Sequence, residues 1–477
     1  MILVECQLKT RIQDQIMSSP STFDCIVIGA GLAGLVAAHN LQRLGRSVLL
    51  IEAQDRIGGR MHGQYLPSKQ WIDRGGQWVG PTQDRILALL DEYNIRRFPS
   101  PSEGLKVLVF DGQRYEFDGF FQGFPEGEAP GVSEAEWRDA MDAWKRFEAL
   151  SQALPAEHPH RNDTNQQLDS DTFARWIADN THTAFGHWYF SYMARAIGYL
   201  GPAEPHQISL LHALWGQKSA PQSEHPEAEL LHGGAGQIPQ KIADELENRI
   251  QLGEPVLRIC QDSTKVEVET TKNSYTAQFA IVAMPPYHAG RITYDPPMPP
   301  LRAQLTQRVP MGCCAKIMVS YDQPFWRAKG LAGIAIGNCQ WLELCADSSD
   351  PETEVGVIAT FVVGDRYSRW RAKSESDRRA AILSDLAIYF GNEALSPSTY
   401  DEADWPGDPW TGGGYAAFMP PGVWTSFGEA LTAPVGRIHW AGTEMAERWA
   451  GFFDGAVRTG EAAAEAIQSL LLAGSSQ

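Results

Sequence analysis

The feature that most constrains this chain is Asp24–Arg60, DCIVIGAGLAGLVAAHNLQRLGRSVLLIEAQDRIGGR. Cys25–Ile28 is a short apolar run, β-branched and too brief for a helix. It leads into Gly29-Ala30-Gly31-Leu32-Ala33-Gly34, a full GxGxxG. Leu35, Ala38, Leu41 and Leu44 then recur at helical spacing. A second apolar strand, Ser47–Ile51, ends at Glu52 and Ala53, with the acid 18 residues past Gly34. In such a unit the glycines allow a tight turn, a close approach of backbone to pyrophosphate, and close packing of helix on strand. The helix N-terminus adds unpaired N–H groups and the positive end of its dipole. An acid about 20 residues on is placed to bind a ribose hydroxyl. A merely structural Gly-rich turn would explain the glycines but not the order strand, glycines, helix, strand, acid.

Composition narrows the partners. The formal net charge is −18 over 477 residues, which argues against nucleic acid and anionic membranes, since both require a basic face. It favours approach by cationic small molecules, and more modestly it keeps a protein in solution. Seven cysteines are an odd count and a poor disulfide framework. Cys313 and Cys314 are adjacent, so they form neither a CxxC redox pair nor a zinc pair, and no metal site is expected. Free thiols imply a reducing, cytoplasmic setting. The first 22 residues lack a continuous apolar core of signal-peptide type, and no run of 18 apolar residues predicts a membrane anchor.

After the second strand comes Arg56-Ile57-Gly58-Gly59-Arg60. It reads either as a solvated turn or as a loop that approaches a pyrophosphate and neutralises it with a guanidinium. Together with Asp73-Arg74-Gly75-Gly76-Gln77-Trp78-Val79-Gly80-Pro81, these runs resemble the cofactor-binding front of the flavin amine oxidases, the monoamine oxidases above all. The resemblance covers nearly the whole chain after the first 22 residues and continues in His232-Gly233-Gly234-Ala235-Gly236 and in Arg448-Trp449-Ala450-Gly451-Phe452-Phe453-Asp454-Gly455.

The resemblance implies a Rossmann-like FAD domain gathered from residues 22–95, 225–300 and 428–472, behind an N-terminal extension of residues 1–21. A discontinuous α+β substrate domain takes residues 96–224 and 301–427. It places Gly76, Gln77 and Trp78 beside the flavin, the Val256 backbone near the adenine, and Trp405, Gly442, Thr443 and the Phe453 backbone around the cofactor. A closing helix over Glu444–Leu472 is expected, with an N-terminus near the flavin. Lys316, the one charge within Val309–Tyr321, would be costly if buried without a task. A strand-edge lysine facing water is the other reading. By resemblance Lys316 holds a water near the flavin and assists the reaction with oxygen. Monoamine oxidases carry a flavin-tethering cysteine where this chain has Gly414, so noncovalent FAD is expected. Tyr415 and Phe452 match the two rings that flank the amine, with phenylalanine replacing a second tyrosine.

The activity implied is oxidation of primary aralkyl or aliphatic monoamines to aldehyde and ammonia, with oxygen reduced to hydrogen peroxide, by a monomer or homodimer. An L-amino-acid oxidase is the alternative. It calls for a carboxylate-binding arginine just after Gly75-Gly76, where this chain has Gln77-Trp78-Val79, although Arg195 could substitute. A diamine or polyamine oxidase would need an acid such as Glu227 for the distal ammonium. A non-catalytic flavin-binding module would have no use for Lys316, Tyr415 and Phe452 together. Trp188, Tyr189, Phe190 and Tyr192 form an aromatic stripe that reads first as core and otherwise as a cavity wall. Ala220–Glu229 reads as a loop or linker.

Overall fold

The opening strand, Thr22–Ile28, is apolar on both faces from Cys25 onward, because both are covered there. Cys25 and Val27 point into one core, against Val36, Leu41, Ile238 and Ile467, while Ile26 and Ile28 point into another. Such double burial is what turns a strand from an alternating pattern into a continuous apolar run. The computed structural model that shows this describes residues 22–66, 70–119, 131–155, 158–162, 165–196, 201–220 and 226–474. The N-terminal extension, most of the Phe117–Pro130 loops and part of the Ala220–Glu229 stretch lie outside the described residues.

Thr22–Ile28 pairs in parallel with Val48–Ile51 on one side and Ser274–Ala283 on the other. The eight-stranded sheet extends to Ile250–Gln251 at one edge and through Val266–Thr270 and Val256–Gln261 to Thr293–Asp295 at the other. Ile438–Ala441 joins the end of Ser274–Ala283. The helices Leu32–Arg43, Gln237–Leu246 and Phe453–Gly474 bring apolar side chains to one face of this sheet. Its strands therefore come from residues 22–51, 250–295 and 438–441, and this is the Rossmann-like unit expected from the glycine motif.

A second sheet has seven strands, in the order Thr399–Asp404, Cys314–Tyr321, Gly356–Val363, Leu344–Asp347, Leu331–Gly337, Leu105–Phe110, Gln113–Phe117. Every residue of Cys314–Tyr321 and Gly356–Val363 is buried. Of the Val309–Tyr321 run, only Cys314–Tyr321 is strand. Before that, Pro310 offers no N–H, and a side chain on Gly312 would lie 2.6 Å from the Gly414 carbonyl.

Trp188, Tyr189, Phe190 and Tyr192 sit on the helix Ala184–Ala196 and belong to an aromatic core with Phe147, Phe173 and Trp176. The packing reading of that stripe is the one the structure supports. Among the described residues no helix is long and apolar enough to cross a membrane, and the six described cysteines are free.

One buried ionic group ties helix Ala184–Ala196 to the second sheet. Arg195 Nε and Nη2 each donate to Glu343 at 2.7 Å, Arg195 Nη1 donates to Glu204 at 3.1 Å, and Arg366 reaches Glu343 at 3.0 Å. Burial alone would lower the Arg195 pKa, but Glu343 and Glu204 hold it above the usual arginine range. Glu343→Ala would leave two guanidinium groups without their shared anion. A loss of about 3–5 kcal/mol of stability is expected for such a broken pair, measured as a lower denaturation midpoint.

Candidate active site

The glycine end of the site is built by close backbone approach. Gly29 takes a left-handed conformation (φ 103°), and a Cβ there would stand 2.6 Å from the Ala283 carbonyl. A Cβ on Gly34 would fall 1.9 Å from the Gly29 carbonyl, so the helix lies directly on the turn. No side chain caps this helix at Gly31, which leaves first-turn N–H groups open to a ligand. Glu52 accepts from Ala30 N at 2.7 Å and Gln54 N at 2.9 Å. Burial raises its pKa, and those N–H donors oppose the rise. Glu52 thus fastens the glycine turn with part of its carboxylate and retains acceptor capacity for a hydroxyl.

Gly58 N donates to Ala30 O at 2.8 Å, docking the Arg56–Arg60 loop onto the same turn. The two arginines differ in fate. Arg56 is turned onto its own loop, donating to Gly59 O at 2.8 Å, with Asp408 at 3.6 Å. Arg60 lines the cavity, pairs with both Glu444 oxygens at 2.6 and 3.1 Å, and donates to Tyr415 O at 2.7 Å. Burial favours a protonated Glu444, yet the Arg60 guanidinium holds its pKa below the usual value.

One continuous cavity of about 590 Å³ joins this turn to the second sheet. Its wall includes Gly29, Gly31, Leu32, Ala33, Glu52, Ala53, Gly59, Arg60 and Val256, and farther along Gly76, Gln77, Trp78, Lys316, Trp405, Gly414, Tyr415, Gly442, Thr443, Phe452 and Phe453. Of the residues singled out in the sequence, Gly34 and Arg56 stay outside this wall: Gly34 serves packing, and Arg56 braces its loop. Cys314, Leu344, Phe361 and Ala196 also line the cavity. Phe361 is the cross-strand partner of Lys316, a pairing no local pattern reveals.

Lys316 is 3% exposed. Its Nζ donates to Gly75 O at 2.7 Å and to Gln77 Oε1, while Gln77 Nε2 donates to Ser348 Oγ at 2.7 Å, which orients the amide. The ammonium also lies 5.5 Å from the Trp78 ring centre and 5.9 Å from that of Phe361. Burial pushes its pKa down to about 8, with Asp73 opposing. Tyr415 packs edge-on against Phe361 at 5.5 Å, and burial keeps its phenol protonated. Phe452 meets Trp449 edge-on at 5.0 Å, and its carbonyl accepts from Thr443 Oγ1 at 2.8 Å.

The closing helix starts later than its sequence suggests. Thr443–Met445 is a single 3₁₀ turn and the α-helix runs Phe453–Gly474. Trp449 (φ 58°) and Gly451 (φ 84°) are left-handed and break the helix between them. Buried Trp449 is pinned there, its Nε1 donating to Thr82 O at 2.9 Å and its N–H to Ser219 O at 2.8 Å. Phe453 packs so tightly on Gly76 that a Cβ there would be 2.6 Å from its ring.

One correction concerns a charged residue. Arg195 has its donors committed to Glu343 and Glu204, so it is not available to bind a substrate carboxylate. Residues 226–228 are a loop, as expected, and lead into the strand Glu229–Leu231; the loop is anchored, because Pro226 O accepts from Gln83 Nε2 at 2.7 Å, Glu227 O from Ser100 Oγ at 2.9 Å, and Glu229 pairs with Val79. Glu227 lines the cavity.

An elongated cleft with an uncapped helix N-terminus and glycine cradle at one end, and a lysine among aromatic rings at the other, fits a dinucleotide whose reactive ring faces a small apolar chamber. That is the layout of a flavin-dependent oxidoreductase. Residues 32–468 match the model of the flavin containing amine oxidoreductases, and the chain belongs to that family. Its cofactor is accordingly FAD. An L-amino acid dehydrogenase from Synechocystis sp. is 71% identical over 96% of this chain and 97% of that protein. A probable flavin-containing monoamine oxidase A from Dictyostelium discoideum is 32% identical over 94% of this chain and 98% of that protein. Among solved structures, putrescine oxidase bound to putrescine superposes with a TM-score of 0.88 at 29% identity, covering 94% of this chain and 99% of that one.

Gly414 offers no nucleophile for a covalent tether, so acid precipitation of the yellow protein should release all flavin to the supernatant; colour retained in the pellet would contradict this. Lys316 generates a second expectation. Its ammonium is lost as pH rises through about 8, so any step that uses its proton should decline above that pH. Lys316→Met should remove that limb and slow flavin reoxidation about 100-fold, the scale for deleting one buried polar donor, as read by stopped-flow absorbance.

Proposed function

We propose that this chain oxidises L-α-amino acids to 2-oxo acids and ammonia, and that it delivers electrons to an acceptor other than oxygen. The observation that carries this reading is the 71% identity to an L-amino acid dehydrogenase along nearly the entire chain. FAD bound along the cavity would supply the redox chemistry, accepting a hydride equivalent from the substrate α-carbon. Residues near 22–95, 225–300 and 428–472 would hold the cofactor, and the intervening stretches the substrate.

The protein's own groups have separable tasks. Tyr415 and Phe452 would flank the reacting carbon and limit it to one approach. Phe361, Leu344 and Cys314 would keep water from that end of the chamber. Lys316 uses two of its three N–H donors on Gly75 and Gln77. Arg60 is engaged by Glu444. The remaining proton of Lys316 is thus suited to a substrate carboxylate or to an ordered water. The reacting nitrogen must be neutral, so kcat/KM should rise with pH as the substrate ammonium deprotonates, until the Lys316 limb intervenes.

A second reading, a monoamine oxidase producing aldehyde and hydrogen peroxide, is favoured by the paired aromatic residues Tyr415 and Phe452. Assays of the purified flavoprotein distinguish the two. L-Amino acids should reduce an artificial dye acceptor without oxygen and yield 2-oxo acid, with phenylethylamine at least about 100-fold poorer in kcat/KM. Peroxide formation from phenylethylamine, with no turnover of amino acids, would establish the second reading instead.

A further inference from the structure

Among the described residues the buried acids are satisfied, whereas one partly buried acid, Glu227, is not. Glu343 is shared by Arg195 and Arg366, and Glu444 holds Arg60. Asp454 accepts from Arg85 N and Ile86 N and binds Arg458. Asp385 accepts from Trp341 N and Leu342 N. Glu227 lines the cavity, and its carboxylate has no hydrogen bond or ion pair among the described residues. Burial pushes its pKa up to about 7, with the Lys316 ammonium the only group opposing. Its remaining accessible surface opens into the chamber that also contains Tyr415, Phe361 and Leu344.

The backbone that carries this carboxylate is held in place. The carbonyls of Pro226, Glu227 and Ala228 are each occupied, by Gln83 Nε2, Ser100 Oγ and Ser100 N, and Glu229 is paired with Val79. An acid held in an apolar chamber without a partner is costly unless a ligand brings the missing cation. The reacting nitrogen is a poor candidate for that cation. It must give up its proton to be oxidised, and a facing carboxylate would stabilise it as the ammonium. A charge away from the reacting carbon has no such conflict.

We propose that Glu227 is a specificity residue that pairs with a second, persistently charged cation on the substrate, so that the favoured substrate is an L-α-amino acid whose side chain ends in a guanidinium or ammonium group. The amino-acid part of this assignment rests on the function proposed above; the cation part rests on Glu227 alone. Lys316 and Glu227 then offer opposite charges to the carboxylate and the side-chain cation of one ligand. The net charge of −18 would favour encounter with such a molecule.

The test compares isosteric pairs on the flavin-loaded enzyme with a dye acceptor. The wild type should prefer L-arginine over L-citrulline, and L-lysine over L-norleucine, by at least about 30-fold in kcat/KM, the scale for a desolvated charge pair. In Glu227→Gln both ratios should collapse to within about threefold, and Glu227→Asp should recover part of them. Methylguanidine should inhibit the wild type competitively and Glu227→Gln far more weakly. If Glu227→Gln fails to retain flavin, the wild-type ratios and the inhibition decide alone. A wild type indifferent to the side-chain charge, or a variant that loses activity equally on both members of a pair, would overturn the assignment. If amino acids are not oxidised but amines are, the amino-acid reading falls. Glu227 is then judged by cadaverine against pentylamine: a 30-fold preference upholds the cation role, and parity overturns it.

Discussion

The buried pair between Arg60 and Glu444 holds together three parts of the chain that are far apart in sequence. Arg60 belongs to the loop docked on the glycine turn, and Glu444 follows the last strand of the first sheet. The same guanidinium also binds the Tyr415 carbonyl on the opposite wall. A low-dielectric setting makes this contact strong while paired and expensive if broken. It sets the distance between the glycine-lined end of the cavity and its aromatic end. The cavity therefore depends on a contact spanning 384 residues of chain.

Around that brace, the site separates charges that serve structure from charges left for chemistry. Glu343, Asp454 and Asp385 are consumed by arginines or backbone N–H groups, and Glu52 in part. Lys316 has a donor to spare, and Glu227 has no partner among the described residues. Both pKa values are displaced toward neutrality by burial. Groups displaced in this way, within one aromatic chamber, are where differential interaction with a substrate is available. The aromatic residues on the helix Ala184–Ala196 belong to the packed core and are not among those lining this chamber.

Legibility in the sequence followed the range of the interaction. The glycine turn, Glu52 and the opening strands form one contiguous unit, and the structure keeps them in the predicted order. Local signals failed where a distant partner decided the outcome. Arg56 and Arg60 are chemically alike and four residues apart, yet only Arg60 meets a buried acid at the cavity. Arg195 looked available as a carboxylate binder because Glu343 and Glu204 are not its helical neighbours. The Glu444–Leu472 helix gave way over Trp449, whose indole is anchored to Thr82 and whose backbone reaches Ser219.

What the amino-acid order determined by itself was the glycine-turn unit: spacing and residue size are sufficient where strand, tight turn, helix, strand and acid follow one another in a single stretch. It also named Lys316, Tyr415, Phe452 and Gly414, because their surrounding motifs resemble a known family. Tertiary structure alone decided which charges are spent and which are free. A carboxylate or guanidinium has the same sequence whether it is paired or not, and its chemistry is set by what the fold brings within about 3 Å of it.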